Sequence, residues 1–301
     1  MKGDLKVWWD GKFIEYKDAK VPILTHSLQY GSGIFEGIRA YKNEKGSAVF
    51  RLRDHIKRFF NTAKIYRIDL KYSMDEISQA ILELLRINKL DECYIRPFAF
   101  YRDDSIGLSP FGKETSIYIA AVPFDKYLSK SSGIRCKTST WRRINSEILP
   151  VQAKASGNYL NSLIANLEAR SLGFDEAIML GENGYVAEGP GENIFIVKDG
   201  ALITPPDESD ILLGITRDSI IKIAGHLGIK TLERNIHREE IYVADEAFFA
   251  GTAAEITPIS SVDGITIGDG STGKITSTLI NEYMNVVHGR NEYFRDWLTQ
   301  V

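Results

Sequence analysis

The sequence has few cysteines and no long apolar run. Cys93 and Cys136 are the only cysteines among 301 residues, too few for a disulfide framework, and no Cys or His spacing indicates a zinc site. No stretch approaches the roughly 20 apolar residues of a membrane span, and the start of the chain lacks the apolar run of a signal peptide. We therefore expect a cytoplasmic protein that has no metal site and enters no membrane.

The chain also lacks an excess of charge of either sign. Its 37 Lys and Arg residues nearly balance 40 Asp and Glu residues, which gives a formal net charge of -3. This balance provides no general field that would attract nucleic acid or an anionic membrane. Because 44% of the residues are hydrophobic, the chain can bury a full core. We expect a globular protein in which any anion-binding site is local.

The first part of the chain has the pattern of hairpins and amphipathic helices. Asp10 and Gly11 separate the strand-like stretches LKVWW and KFIEY, and an Asp-Gly pair suits the positive φ angles of a tight hairpin turn. Apolar residues recur at helical spacing over residues 53–68, and Ser73 and Glu76 stand in capping-box register at the start of a second helix. β-branched and aromatic residues then predict two strands, CYIRPFAFY and TSIYIAAVPF.

The apolar pattern is interrupted over residues 125–133, DKYLSKSSG, which are rich in Ser and Lys. We place a linker there, between a small N-terminal domain, residues 1–124, and a larger C-terminal domain, residues 134–301. In the larger domain a helix is predicted from about Asn158 to Leu172, and Asn-Gly and Asp-Gly pairs mark further hairpins. Strands joined by hairpins pair antiparallel, so we expect an α+β fold with mixed or antiparallel sheets flanked by helices.

Two glycine-rich stretches do not support a nucleotide site. GLSPFGKE resembles a P-loop, but Glu114 replaces the hydroxyl residue that binds magnesium, and a strand follows where a helix is required. YGSGIFEG offers Gly31 and Gly33, but Glu36 stands where a dinucleotide fingerprint requires its third glycine. Neither stretch therefore predicts a phosphate-binding loop.

One lysine stands among small residues just before a predicted helix. In VQAKASGNY, Lys154 is flanked by Ala153, Ala155, Ser156 and Gly157. Small neighbours let a bulky ligand approach the amine, and a neutral lysine amine can attack an aldehyde. A lysine beside a glycine is also typical of a solvated loop. This segment alone leaves both interpretations open.

A glycine-rich segment with two acids follows in YVAEGPGENIFIV. Gly189 and Gly191 let another group approach the backbone beside Glu188, and Glu192 lies four residues further on. A carboxylate at this place could form a salt bridge with a pyridine nitrogen and keep that nitrogen protonated. The segment could equally be a solvated hairpin turn. Of the two acids, we favour Glu188 for the functional role.

Two segments nearer the C-terminus have the features of anion sites. In LLGITRDSI we expect Thr216 at the N-cap of an amphipathic helix, with Gly214 letting a ligand approach the first free N–H groups. GTAAEITP offers backbone N–H groups and the hydroxyl of Thr252. Ordinary helix capping and an ordinary turn explain the same residues, so neither segment decides the question alone.

Taken together, these segments resemble one family. AKASGNY, EGPGENIF, GITRD and GTAAEITP occur in the order and spacing of branched-chain aminotransferases, which are pyridoxal phosphate enzymes of fold type IV. The stretches SLQYGSGIFEGIRAY, AKIYR and CYIRPFAF resemble the same family, so the likeness covers nearly the whole chain. It implies a two-domain α+β fold in which the larger domain binds the cofactor and the active site lies between the domains.

The resemblance also implies a role for each of the candidate residues. Lys154 would be the catalytic residue, holding pyridoxal 5'-phosphate as a Schiff base and then carrying the proton between the substrate α-carbon and the cofactor. Glu188 would pair with the ring nitrogen, and Tyr159 would donate to the phenolic oxygen of the ring. The phosphate would be bound by one side chain, two helix N–H groups and one hydroxyl, those of Arg58, Ile215, Thr216 and Thr252.

The implied reaction is transamination of Leu, Ile and Val with 2-oxoglutarate, by a ping-pong mechanism that yields branched-chain 2-oxo acids and L-glutamate. The family builds an apolar substrate pocket from residues that match Tyr30, Phe35, Gly37 and Tyr127. The substrate α-carboxylate would meet the backbone of Thr252 and Ala253 with Tyr94 nearby, and Arg96 would bind the distal carboxylate of glutamate. The family also implies a homo-oligomer, either a dimer or a hexamer built from dimers.

Four other functions are alternatives to this interpretation. D-amino acid aminotransferases and aminodeoxychorismate lyases have the same fold and would keep the equivalents of Lys154 and Glu188, but GIRAY and YIRPF look like the branched-chain members. A non-catalytic protein that binds pyridoxal phosphate would not need Tyr94 and Arg96. An unrelated α+β binding module would not bind the cofactor at all.

Overall fold

A computed structural model of the chain describes residues 5–103, 105–124 and 133–301. The chain forms two compact units, the first from Met1–Asp125, Ala153–Gly157 and Asn285–Val301 and the second from Lys126–Gln152 and Asn158–Met284. Two segments of the predicted C-terminal domain therefore belong to the first unit, because each of them pairs with a strand of that unit. The predicted linker, residues 125–133, lies outside the described residues except for Gly133.

The first unit is built on an antiparallel sheet. Its strands are β1 (Lys6–Trp9), β2 (Lys12–Glu15), β3 (Ile34–Phe35), β4 (Ile38–Asn43), β5 (Gly46–Phe50), β6 (Cys93–Tyr101), β7 (Thr115–Val122) and β17 (Leu298–Gln300). The helices are α1 (His26–Tyr30), α2 (Leu52–Ile65) and α3 (Met74–Asn88). The strand order is β17-β5-β4-β6-β7-β1-β2, and β3 pairs with β6.

Local sequence signals determine most of the elements of this unit. Asp10 and Gly11 have φ angles of 43° and 87°, which confirms the predicted hairpin between β1 and β2. Ser73 caps α3 in a complete capping box with Glu76, as predicted. The apolar faces of α2 and α3 are fully buried, for example at Phe59, and form one hydrophobic core with the sheet.

The second unit combines a mixed sheet with helices. Its strands are β8 (Ile134–Thr138), β9 (Glu176–Leu180), β10 (Val186–Glu188), β11 (Asn193–Lys198), β12 (Ala201–Thr204), β13 (Thr231–Glu233), β14 (Glu246–Gly251), β15 (Glu255–Val262) and β16 (Ile265–Thr266). The helices are α4 (Tyr159–Ser171), α5 (Ile215–His226), α6 (Arg238–Tyr242) and, as far as Met284, α7 (Lys274–Val287). The strand order is β10-β9-β8-β15-β14-β11-β12-β13, and β16 pairs with β15.

Two features of this sheet go beyond hairpin pairing. β10 pairs with both β9 and β11, so the strands from β10 through β9, β8, β15 and β14 to β11 form a closed set. β8 runs parallel to β9, because α4 provides the crossover connection that parallel strands need. Helices in both units, with an antiparallel sheet in the first and a mixed sheet in the second, confirm the predicted α+β class. Within the described ranges, no helix is both long and apolar enough to cross a membrane.

Candidate active site

The segment that carries Lys154 is fixed to the first unit through its backbone. Phe35 N–H donates to the Lys154 carbonyl over 3.0 Å, and Lys154 N–H donates to the hydroxyl of Thr62 over 3.2 Å. A β-bridge joins Ala155 to Ile34, and both of these side chains are buried. The small residues around Lys154 therefore allow the segment to lie close against β3. The structure places the lysine in an ordered segment rather than in a solvated loop.

Four predicted site residues come together around one aromatic ring. The Nζ atom of Lys154 lies 5.1 Å from the centre of the Phe35 ring, and Arg96 Cζ lies 4.6 Å from the same centre. Arg96 Nη2 also donates to the hydroxyl of Tyr94 over 3.3 Å. Cations at such distances from an aromatic face are attracted by the ring quadrupole. The Phe35 ring thus has an amine and a guanidinium against it, and Arg96 links this ring to the phenol of Tyr94.

Gly37 lies in the same group, and the structure explains why the residue is glycine. A Cβ atom at this position would lie 2.0 Å from the hydroxyl oxygen of Tyr94. No real side chain tolerates that separation, so any larger residue would displace Tyr94. The predicted substrate residues Gly37 and Tyr94 are therefore packed directly against each other.

Arg58, the predicted phosphate ligand, forms part of a buried polar cluster with Glu36 and His55. Arg58 donates from Nε to Glu36 Oε1 over 2.6 Å and from Nη2 to Glu36 Oε2 over 2.9 Å. His55 Nδ1 lies 2.8 Å from Glu36 Oε2. Both hydrogen bonds come from the side of the guanidinium that carries Nε and Nη2. Glu36 therefore fixes the plane of the Arg58 guanidinium.

The charges of this cluster follow from its burial and its partners. Burial alone would raise the pKa of Glu36, but the charge of Arg58 and the hydrogen bonds from His55 and Arg58 outweigh it and hold the pKa well below its usual range. Burial lowers the pKa of His55 against the opposing effect of Glu36, and the charges of Arg58 and Lys154 lower it further. At neutral pH, Glu36 is therefore ionised and His55 is neutral.

Two predicted substrate residues are not placed with this group. Tyr30 ends α1, its ring lies 4.7 Å from that of His26, and its hydroxyl accepts a hydrogen bond from Gly107 N–H over 3.2 Å. The described contacts of Tyr30 therefore do not include Lys154 or Phe35. Tyr127 lies outside the described residues.

In the second unit, Glu188 is buried at the end of β10, with an ion pair at one carboxylate oxygen and hydrogen bonds at the other. Oε1 lies 2.8 Å from Nε of the buried Arg143, forming an ion pair. Oε2 accepts hydrogen bonds from Asn193 Nδ2 over 3.2 Å and from Leu212 N–H over 3.1 Å. The sequence prediction did not include Arg143 or Asn193. The ion pair and the two hydrogen bonds fix the orientation of this buried carboxylate. A carboxylate held in this way suits a cationic ring nitrogen as its partner.

The predicted helix start at α5 is present, but its N-cap was placed wrongly. The cap is Gly214, with φ -71° and ψ 133°, and the helix begins at Ile215. Thr216 is the second helical residue because the chain turns into the helix at the glycine. Ile215 and Thr216 are both buried, and their N–H groups belong to the first turn, where no intrahelical acceptor exists.

The remaining predicted cofactor and substrate residues also belong to the second unit. Thr252 and Ala253 form the turn between β14 and β15, and both are partly buried. The turn closes at Glu255, which pairs with Gly251 and has a φ angle of 54°. Tyr159 is the first residue of α4 and is also partly buried.

Comparison with known proteins identifies the family. The family described as amino-transferase class IV matches residues 33–262. The branched-chain-amino-acid aminotransferase of Escherichia coli (strain K12) is 46% identical over 299 residues, which cover 98% of this chain and 97% of that relative. The crystal structure of a branched-chain aminotransferase from Thermoproteus uzoniensis with norvaline is 50% identical, covers 99% of each chain and superimposes with a TM-score of 0.95.

A further structure shows the cofactor in a relative. The branched-chain amino acid aminotransferase of Thermobaculum terrenum, in its pyridoxal phosphate holo form, is 37% identical over 99% of each chain, with a TM-score of 0.94. This chain therefore belongs to the class IV aminotransferases, which are pyridoxal phosphate enzymes. The relatives that it matches over nearly full length are branched-chain aminotransferases, and this confirms the resemblance seen in the sequence motifs.

Proposed function

We propose that this protein transfers amino groups between branched-chain L-amino acids and 2-oxoglutarate. The substrates are Leu, Ile and Val, and the products are their 2-oxo acids and L-glutamate. One observation carries the proposal: the ring of Phe35 lies against both the amine of Lys154 and the guanidinium of Arg96. An apolar wall, a nucleophilic amine and a cation that suits a distal carboxylate are thus adjacent, as a site for both Leu and Glu requires.

The donor groups of the chain fit pyridoxal 5'-phosphate. A lysine amine suits the aldehyde, a buried carboxylate suits the ring nitrogen, and a guanidinium with the first N–H groups of a helix suits the phosphate. The residues that we assign to the cofactor are Lys154, Glu188, Tyr159, Arg58, Ile215, Thr216 and Thr252. When bound, the cofactor supplies an acceptor for the electrons of the substrate Cα–H bond.

Lys154 then acts as the proton carrier. Its backbone is held by Phe35 and Thr62, so only its own side-chain torsions move the amine. With pyridoxal phosphate bound, the Lys154 amine would accept the proton of the substrate α-carbon and donate it again to complete the transfer. Each substrate in turn leaves or takes its amino group, so the kinetics are ping-pong.

The substrate groups have separate partners in this proposal. Phe35 and Gly37 line the space for an apolar side chain, the family resemblance assigns Tyr30 and Tyr127 to the same space, and Arg96 binds the distal carboxylate of glutamate. The N–H groups of Thr252 and Ala253, with Tyr94, bind the α-carboxylate. We also propose that the protein is cytoplasmic and forms a homo-oligomer, a dimer or a hexamer built from dimers, as the resemblance of its sequence motifs implies.

A substrate panel tests this function. Purified protein with pyridoxal phosphate should convert 2-oxoglutarate to glutamate with L-Leu, L-Ile or L-Val and should not use D-Ala. Lys154→Ala should lose this turnover, whereas Lys198→Ala, which removes a partly exposed lysine paired with Asp245, should keep it. Turnover with D-Ala alone would contradict the proposal and would favour a D-amino acid aminotransferase.

A further inference from the structure

Asn193 connects two groups that we assign to the cofactor, although it is not itself one of them. It is the first residue of β11 and is 5% exposed. Its side-chain nitrogen donates to Glu188 Oε2 over 3.2 Å and to the carbonyl of Leu212 over 3.0 Å. Both hydrogens of the amide nitrogen are therefore used, one on the ring-nitrogen acid and one on the loop that leads into α5.

The three residues form a closed ring of hydrogen bonds. Leu212 N–H donates to the same Glu188 oxygen that Asn193 contacts, over 3.1 Å. The carboxylate, the amide and the Leu212 peptide thus restrain one another, and Arg143 holds the second carboxylate oxygen. In such a ring, removing one donor loosens the other two members as well.

The oxygen end of the same amide lies against the start of α5. A Cβ atom on Gly214 would lie 2.0 Å from Asn193 Oδ1, so the amide occupies the space that any other residue at the N-cap would need. The φ angle of Gly214 is -71°, which ordinary residues adopt. Packing against Asn193, rather than backbone conformation, therefore requires glycine at this position.

We propose that Asn193 is a positioning residue that holds the carboxylate of Glu188 and the first turn of α5 in a fixed relation, so that the ring nitrogen and the phosphate are recognised together. This inference rests on the function proposed above. A ligand with two anchoring groups gains affinity when its two anchors are ordered before it binds, because less freedom is then lost on binding.

A matched control separates this role from an ordinary buried hydrogen bond. Asn166 also donates from its side chain to a buried glutamate of the second unit, Glu176, over 2.7 Å. None of the residues that we assign to the cofactor takes part in that pair. Loss of either amide should lower the melting temperature, but only loss of Asn193 should change cofactor binding.

The first experiment measures the Kd of the apoprotein for pyridoxal phosphate and for pyridoxal, which lacks the phosphate, by quenching of protein fluorescence. For Asn193→Ala we expect the Kd for pyridoxal phosphate to rise about 10- to 100-fold, the range found for residues that orient metal ligands. The ratio of the Kd for pyridoxal to the Kd for pyridoxal phosphate should fall. Asn193→Asp keeps the side-chain size but removes the donors and places an acid beside Glu188, so it should weaken binding at least as much. Asn166→Ala should leave both Kd values unchanged.

The second experiment tests the contact with α5 by a double-mutant cycle. Gly214→Ala alone should raise the Kd for pyridoxal phosphate, because the new methyl group meets Asn193 Oδ1. In the Asn193→Ala background the same change should have almost no further effect, since the opposing oxygen is gone. Strictly additive effects, or Asn193 variants that bind both ligands like the parent protein, would overturn the inference.

The outcome also distinguishes this inference from the proposed function. If the parent protein binds no pyridoxal phosphate and shows no visible absorption with it, the proposed function fails. If the parent protein binds the cofactor and Asn193→Asp and Gly214→Ala bind it equally well, only the role of Asn193 is wrong. Gly214→Ala leaves residue 193 as asparagine, so the test holds even if Asn193→Ala does not fold.

Discussion

At the scale of single residues, Glu36 shows how one position can matter for a reason that its motif hides. In the sequence, Glu36 served only to exclude a dinucleotide-binding fingerprint, because that fingerprint requires a glycine at position 36. In the structure it is fully buried and accepts hydrogen bonds from Arg58 and His55. Removing one member of a buried ion pair leaves the other charge without compensation. Glu36 therefore supports both the stability of the first unit and the orientation of Arg58.

We predict that Glu36→Gln lowers the free energy of unfolding at pH 7 by about 3–5 kcal/mol. The pKa of Glu36 is depressed in the folded protein, so its contribution is fully present above the unfolded value of about 4.3 and is lost as pH falls toward the folded value. Urea unfolding of both proteins at several pH values measures this. The gap between parent and variant should stay constant from pH 7 to about pH 5 and narrow below about pH 4. A gap that widens on acidification would contradict the assignment.

The candidate residues divide into those that a motif reveals and those that only the fold reveals. Lys154, Glu188 and Thr252 stand in segments whose order and spacing are characteristic of the family, so the sequence was enough to select them. Arg143 lies 45 residues before its partner Glu188, and neither of the two arginines in WRRIN carries a periodic signal. Asn193 lies in the recognised motif, but its partners at Leu212 and Gly214 are brought to it only by the folded sheet.

At the scale of elements, the first turn of α7 is capped by a carboxylate that belongs to a strand, β14. Glu246, in β14, accepts hydrogen bonds from the N–H groups of Ile275 and Thr276 over 3.0 and 2.6 Å, and from the hydroxyl of Thr276 over 2.6 Å. A negative charge at this end of a helix also interacts favourably with the helix dipole. The start of α7 therefore depends on a distant residue rather than on a local capping motif.

Replacement of this distant cap should measurably weaken the fold. We predict that Glu246→Ala lowers the free energy of unfolding by about 2 kcal/mol, the upper range for loss of an N-cap acceptor. Denaturant unfolding followed by circular dichroism measures it. Glu208→Ala, which removes an exposed acid from a loop, should change stability by less than about 0.5 kcal/mol. Equal effects of the two substitutions would show that the cap contributes nothing.

Element prediction succeeded where the signal was local and failed where it was not. The hairpin at Asp10 and Gly11 and the capped helix α3 follow from turn chemistry and apolar periodicity within a few residues. The start of α5 was misplaced because Thr216 and Gly214 are both acceptable N-caps in sequence, whereas the folded chain enters the helix at Gly214. β17 could not be predicted, because its three residues pair with β5 across most of the chain length.

At the scale of the whole molecule, the first unit exposes large apolar side chains that a monomer would leave in water. Ile23, Ile106, Leu108 and Phe111 are 75% to 85% exposed. Apolar surface of this kind is typical of protein interfaces. We predict that light scattering after size-exclusion chromatography gives at least twice the chain mass of 33.8 kDa. Replacing Ile106 and Leu108 with Asp should weaken the association, and a parent protein of single-chain mass would contradict the predicted assembly.

The central claim, that Lys154 and pyridoxal phosphate move amino groups of branched-chain L-amino acids, is tested most directly by a single half-reaction. L-leucine is added to the cofactor-bound protein without 2-oxoglutarate, and the visible absorption of the bound cofactor is followed. We predict that the band disappears with one 2-oxo acid formed per site, that 2-oxoglutarate restores it, and that D-leucine leaves it unchanged. A band that L-leucine does not alter, or that only the D-isomer bleaches, would contradict the account.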